Sequence, residues 1–115
     1  MQSIQPNQLD DWLLQASTQH SAAMPIVLDV REPWELQTAS VTPTGFELLA
    51  IPMRNVPARY LELDRDRPIA CLCHHGARSA QVAQFLMQNG FTAVVNIHGG
   101  IHAWSHQRDA AVPVY

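Results

Sequence analysis

The sequence predicts an α/β fold built on an open parallel sheet. Short apolar runs without polar alternation, such as Ile26-Val27-Leu28 and Ile69-Ala70-Cys71-Leu72, read as strands covered on both faces. These runs alternate with segments whose apolar residues recur at helical spacing, the pattern of crossover connections between parallel strands. The chain has 115 residues, of which 47% are hydrophobic and 15% charged. That is the composition of a globular protein, and residues 1–115 are read as one domain with one hydrophobic core.

Composition also excludes function classes. A net charge of −3 leaves no basic footprint for nucleic acid. No apolar run approaches a membrane span, so no membrane partner is expected. Met1 to Gln5 lacks the basic and apolar regions of a secretory signal. A cytoplasmic protein with reduced thiols is the expectation.

In chain order, Ser3–Gln5 is a candidate first strand. Pro6–Ala16 is a helix with Leu9, Trp12, Leu13 and Ala16 on its apolar face, and Pro6 is tolerated in the first turn. Ser17–Pro25 reads as a polar connection. Ile26–Val30 is a strand that is apolar until Asp29. Pro33–Gln37 starts a short helix, and Thr38–Glu47 is a loop broken by Pro43 and Gly45. Leu48–Ile51 is a third strand, stopped by Pro52. Pro57–Leu63 is a helical turn with Tyr60, Leu61 and Leu63 partly inward, and Asp64–Arg67 is a solvated charged turn. Ile69–Leu72 is a strand, Ser79–Asn89 a helix and Thr92–Ile97 a last strand. The helix shows water a narrow stripe of Gln81, Gln84 and Gln88, and Gly90 ends it. Gly99-Gly100 turns into a final helix carrying Ile101 and Trp104 on one face. The tail from Gln107 to Tyr115 has no periodicity.

The chemistry concentrates between the Ile69–Leu72 strand and the helix after it. Cys73 stands where the strand ends, and His74, His75, Gly76, Ala77 and Arg78 curl towards Ser79. Unpartnered N–H groups and the helix dipole make such a helix start partly positive, and loop N–H groups can add an anion nest. A thiol in that setting ionises more readily than a free one, and the thiolate is the nucleophile of cysteine chemistry. Arg78 adds a positive charge, and Gly76 lets the loop backbone approach a bound group. Cys71, two residues earlier, lies on the same strand side but deeper and reads as a core residue. His74 and His75 have no single assignable role.

Asp29 is a carboxylate in an otherwise buried strand, costly unless paired. Either it accepts hydrogen bonds from loop backbone and fixes the strand end, the preferred reading, or it lines the site. Arg31 supplies positive potential or pairs with Glu32 or Glu35.

Cys-x-x-Gly-x-Arg-Ser at a strand end resembles the active-site loop of single-domain rhodaneses, the thiosulfate sulfurtransferases. Leu28-Asp29-Val30-Arg31-Glu32-Pro33-Trp34-Glu35 resembles the family's Asp-Val-Arg segment. Asn96-Ile97-His98-Gly99-Gly100-Ile101-His102-Ala103-Trp104 resembles its Gly-Gly-x-x-Ala-Trp segment. Family members often carry Gly-His-Ile-Pro-Gly-Ala after the Asp-Val-Arg segment. This chain reads Val41-Thr42-Pro43-Thr44-Gly45-Phe46 there, without His, so that loop's contacts do not carry over.

The resemblance implies a rhodanese-like open sheet of five parallel strands with helices on both faces. It implies Cys73 as the nucleophile, residues His74 to Ser79 as the sulfur-binding or anion-binding loop, and Asp29, Arg31 and Glu32 in support. Phosphatases similar to this family use Cys-x5-Arg, and the Cys-x4-Arg spacing here suits a sulfur rather than a phosphate. The expected chemistry moves the outer sulfur of thiosulfate or another persulfide donor onto Cys73. An acceptor then takes it, cyanide in the test tube or a thiol in the cell. Arg78 orients the donor's anionic part or braces the loop through Glu32 or another carboxylate. No cofactor or metal is expected beyond the covalent persulfide, and the expected partners are a small donor and a thiol or persulfide-carrier protein. Two alternatives compete: a metal site among Cys71, Cys73, His74, His75, His98 and His102, and an inactive interaction module on the same fold.

Overall fold

The computed structural model describes residues 2–19 and 24–115. Among these residues, five strands form one sheet: β1 (Gln2–Ile4), β2 (Ile26–Asp29), β3 (Glu47–Ala50), β4 (Ile69–Leu72) and β5 (Val94–Ile97). Their order is β1-β5-β4-β2-β3, and every pairing is parallel. The expected five-stranded parallel sheet is present. Among the described residues, five α-helices cross over between and after the strands: α1 (Leu9–Gln19), α2 (Pro33–Thr38), α3 (Val56–Arg59), α4 (Ala77–Gln88) and α5 (Gly100–Gln107).

Side chains alternate across a strand with a period of two, so each inner strand feeds two cores. Val27, Ala70 and Val95 pack with Leu9 and Leu13 of α1 and with Ile101 and Trp104 of α5. Ile26, Leu28, Ile69, Cys71 and Val94 pack with Val56 of α3 and with Val82, Ala83 and Leu86 of α4. This double burial explains why the strand sequences show no polar alternation.

The strand ends shift by a residue or two from the sequence reading, and three differences have physical causes. Ser17, Thr18 and Gln19 continue α1 instead of opening a connection. The Ser17 hydroxyl donates to Leu13 O at 2.9 Å and that of Thr18 to Gln15 O at 2.9 Å, so polar side chains are satisfied on the helix itself. The rest of that expected connection, residues 20–23, lies outside the described residues. Second, Leu61 is 73% exposed, not inward. Tyr60–Glu62 is a 3-10 turn, in which positions three apart eclipse; Tyr60 and Leu63 therefore face the core and Leu61 faces out. Third, α4 begins at Ala77, because Gly76 caps it in the left-handed conformation with φ +106°.

The topology fixes where a ligand can sit. The chain leaves β2 towards β3 on one side and leaves β4 towards β5 on the other, so connections diverge between the neighbouring strands β2 and β4. The crevice beyond the carboxyl ends at such a switch point is the usual binding place in open α/β sheets. Asp29 ends β2 and Cys73 follows β4. No helix among the described residues is long and apolar enough to cross a membrane.

Candidate functional site

The Cys73 sulfur is held from two directions. The Gly76 N–H donates to Sγ at 3.0 Å, and the Ser79 hydroxyl lies 3.3 Å from it. Ser79 Oγ also lies 2.5 Å from Asn96 Oδ1 and 3.2 Å from Gly76 O, while Asn96 Nδ2 donates to Gly76 O at 3.2 Å. The Asn96 amide thus bridges β5 and the loop and hands its oxygen to Ser79. Cys73 is 1% exposed and belongs to the core cluster that also contains Cys71, Val30 and Val82. It is more deeply buried than a thiol at an open loop would be, yet its sulfur faces polar donors.

Helix α5 supports the loop from behind. The Ile101 N–H donates to Cys73 O at 2.8 Å and the His102 N–H to His74 O at 3.1 Å, so two amides at the start of α5 meet loop carbonyls. A side chain at Gly100 would overlap Cys73 O and His74 O. Gly99-Gly100 is therefore a contact surface for the loop as well as a turn.

The rhodanese-like domain model matches residues 8–107. The chain belongs to the rhodanese-like family. It is 36% identical over 80 residues to a protein named sulfurtransferase from Allochromatium vinosum, covering 70% of this chain and 71% of that one. It is 29% identical over 113 residues to the probable adenylyltransferase/sulfurtransferase MoeZ of Mycobacterium tuberculosis, covering 98% of this chain but 27% of that one. Among solved structures, a rhodanese-related protein from Thermoplasma volcanium superposes with a TM-score of 0.77 at 31% identity, with all of both chains covered.

Within this rhodanese-like site, the charged residues fall into two groups that differ from the sequence reading. Arg31 is fully buried and pairs with Asp29, Nε at 2.9 Å from Oδ1 and Nη2 at 2.8 Å from Oδ2. Its remaining donors reach Glu35 O, Ala39 O and the Tyr115 hydroxyl. Arg31 thus supplies no open positive potential and pairs with neither the Glu32 nor the Glu35 carboxylate. Asp29 also accepts the Arg31 N–H at 3.1 Å, a backbone contact just past the end of β2.

Of the carboxylates open to Arg78, the one it meets is Glu35 and not Glu32. The pair is bidentate, Nη1 to Oε1 at 2.7 Å and Nη2 to Oε2 at 2.9 Å. Glu35 also accepts the Glu32 N–H at 3.0 Å and the Tyr115 hydroxyl at 2.7 Å. The Arg78 guanidinium, with these added donors, holds the Glu35 carboxyl down at about 2 against the opposing effect of burial. Glu32 instead meets the exposed Arg54 at 3.1 Å. Val30, Glu32, Met53, Arg54 and Arg78 line a cavity of about 230 Å³ beside the loop.

His74 stacks on the Tyr115 ring, centroids 3.9 Å apart and planes 4° apart, and its Nε2 donates to the Tyr115 backbone oxygen at 2.8 Å. Burial chiefly lowers the His74 pKa. The exposed His75 lies over His74 at 4.0 Å and near His102 at 5.1 Å. Cys71 is fully buried, which pushes its thiol pKa up. Among the described residues, no group of three or more His, Cys, Asp or Glu is arranged to hold a metal ion.

Sequence reasoning passed over four residues here: Glu35 as the brace, Asn96, Arg54 and Tyr115. Asn96 left a signal, since it is a lone amide in an apolar strand and must find partners. Glu35 left another, because acidic residues three apart around a helix-starting Pro mark an N-terminus. Tyr115 left none, as it reaches the site only through the fold of the tail.

Proposed function

We propose that this protein is a sulfurtransferase that carries a sulfane sulfur as a Cys73 persulfide. The observation that supports it best is the Cys73 sulfur, at the carboxyl end of the central strand, receiving the Gly76 N–H at 3.0 Å. Hydrogen bonds to a charged acceptor are stronger than those to a neutral one, so these donors suit the negative outer sulfur of a bound persulfide. The relatives named as sulfurtransferases point the same way.

In the first step the Cys73 thiolate attacks the outer sulfur of a donor such as thiosulfate. A new S–S bond forms, the old one breaks, and its electron pair leaves with sulfite. In the second step a thiol, or cyanide in the assay, attacks the terminal sulfur and Cys73 departs as the thiolate. Gly76 N–H and the Ser79 hydroxyl hold the negative sulfur in both steps. Arg78, neutralised by Glu35, fixes the loop against α2 instead of holding the donor's charge. Because Cys73 is buried, a donor reaches it from the adjoining cavity when side chains there move; Met53, unbranched and half-buried, is the most adaptable of them.

Thiocyanate formation from thiosulfate and cyanide tests the reading, with a persulfide donor run in parallel. Turnover is expected in the wild type and in Cys71→Ala, and none in Cys73→Ser. An inactive wild type with both donors would leave a folded interaction module and overturn the enzymatic reading.

A further inference from the structure

We propose that Tyr115 is a positioning residue for sulfur transfer, a clamp that holds both ends of the Cys73 loop at once. The inference rests on the sulfurtransfer reading and adds to it a residue from the far end of the chain.

Tyr115 meets the loop twice. At the near end its ring stacks on His74, centroids 3.9 Å apart and planes 4° apart, and its backbone oxygen accepts from His74 Nε2 at 2.8 Å. His74 follows Cys73 directly. At the far end the Tyr115 hydroxyl donates to Glu35 Oε2 at 2.7 Å, and the same carboxylate takes both terminal nitrogens of Arg78. Between His74 and Arg78 stands Gly76, whose N–H reaches Cys73 Sγ at 3.0 Å. Hydrogen bonds weaken as their distance and angle degrade, so a small shift of this short loop is felt at the sulfur. The α5 amides hold the Cys73 and His74 carbonyls from behind. Among the described residues, the side chains of His74 and Arg78 hydrogen-bond only to Tyr115 and Glu35.

Other contacts keep the clamp itself in place. Arg31 Nη1 donates to the Tyr115 hydroxyl at 3.0 Å, and Arg31 is fully buried and fixed by Asp29. The hydroxyl therefore accepts from one charged group and donates to another, the stronger kind of hydrogen bond on both sides. The Trp34 ring meets the Tyr115 ring edge-on at 6.3 Å. The tail is anchored at the buried Val112, whose oxygen accepts the Ser105 hydroxyl at 2.7 Å and whose N–H donates to Asp109 O at 3.1 Å. Pro113 then fixes a backbone dihedral between that anchor and Tyr115, which lowers the entropy lost when Tyr115 docks. Ring face, backbone oxygen and hydroxyl of Tyr115 are thus all committed to residues that hold the loop.

The test combines steady-state thiocyanate formation with NMR of the Gly76 amide proton, which reports its bond to the sulfur. Tyr115→Ala removes ring and hydroxyl, and Tyr115→Phe keeps the stack but loses the hydroxyl. Phe91→Leu, buried between α4 and β5 at the opposite ends of the strands, is the control for lost stability. Tyr115 does not line the cavity beside the loop, so the loss belongs in kcat. Tyr115→Ala should lower kcat about tenfold or more with KM within about twofold, and should move the Gly76 proton upfield. Tyr115→Phe should lower kcat about threefold. Phe91→Leu should melt lower yet keep the wild-type kcat and Gly76 resonance. Tyr115→Phe decides alone if Tyr115→Ala does not fold. Unchanged kcat in either Tyr115 variant, an unmoved Gly76 proton in Tyr115→Ala, or equal losses in Phe91→Leu overturn the inference and leave sulfurtransfer standing. A wild type that forms no thiocyanate from thiosulfate or a persulfide donor overturns the sulfurtransfer reading, and the positioning role with it.

Discussion

Ser79 has one hydroxyl proton and sits within reach of Cys73 Sγ, Gly76 O and Asn96 Oδ1. With a neutral thiol the proton can stay on the Asn96 side; a negative sulfur draws it over. Hydrogen bonds to charged groups are worth about 1.5–3 kcal/mol, and about 1.4 kcal/mol is tenfold in rate. Ser79→Ala should therefore lower kcat/KM for sulfur transfer at least about tenfold, measured with thiosulfate or a thiosulfonate, with a melting temperature close to the wild type. Glu35 allows a second test at this scale. Its carboxyl lies at about 2 in the folded chain against an ordinary 4.5. A group depressed in this way stabilises the fold above about 4.5, and the contribution is lost as pH falls towards 2. The shift corresponds to about 3 kcal/mol, reduced to about 2 kcal/mol because Arg78 is one-third exposed and screened. Urea titrations from pH 6 to pH 3 should show a steeper loss for the wild type than for Glu35→Gln. Equal slopes would contradict the pairing. The candidate nucleophile and its loop were legible because Cys, Gly, Arg and Ser stand at fixed local spacing. The partner of Arg78 was not, since Glu32 and Glu35 are equivalent on paper and the turn at Pro33 decides between them.

At the scale of elements, the start of α5 governs how closely the loop can be held. Gly100 has φ +61°, and a methyl there would overlap Cys73 O and His74 O. Gly100→Ala should displace the loop, cost roughly 2 kcal/mol or more in a thermal or urea melt, and reduce sulfur transfer further than the stability loss explains. A variant with wild-type melting and activity would show that the loop is held by something else. The inner strands and α4 were legible because continuous apolar runs and a glutamine stripe follow directly from burial. The stretch from Met53 to Glu62 was read less well. It is a 3-10 turn, one turn of α-helix and another 3-10 turn, and its changing pitch turns Leu61 outward. Periodicity arguments assume one pitch, and three short pieces offer none.

Across the whole molecule, Arg31 joins segments that are far apart in sequence. It ties the end of β2 to the carbonyls of Glu35 and Ala39 and to Tyr115, which in turn covers His74. Removing Asp29 strands a fully buried guanidinium, which costs about 3–5 kcal/mol in comparable buried pairs. Asp29→Ala should lose about that much in urea unfolding; a loss below about 1 kcal/mol would contradict the burial of the pair. The sequence motifs sufficed for the family and for the order of strands and helices. The docking of Tyr115 could not be read, because a tail without periodicity takes its place from the surface it meets.

The central claim is that Cys73 carries the sulfur. Its most direct test is the intact mass of the purified chain after incubation with a sulfane-sulfur donor and removal of excess reagent, followed by peptide mapping. The account predicts one added sulfur atom, located on Cys73, released by a thiol and missing in Cys73→Ser. An unchanged mass, or sulfur found on Cys71, would contradict it.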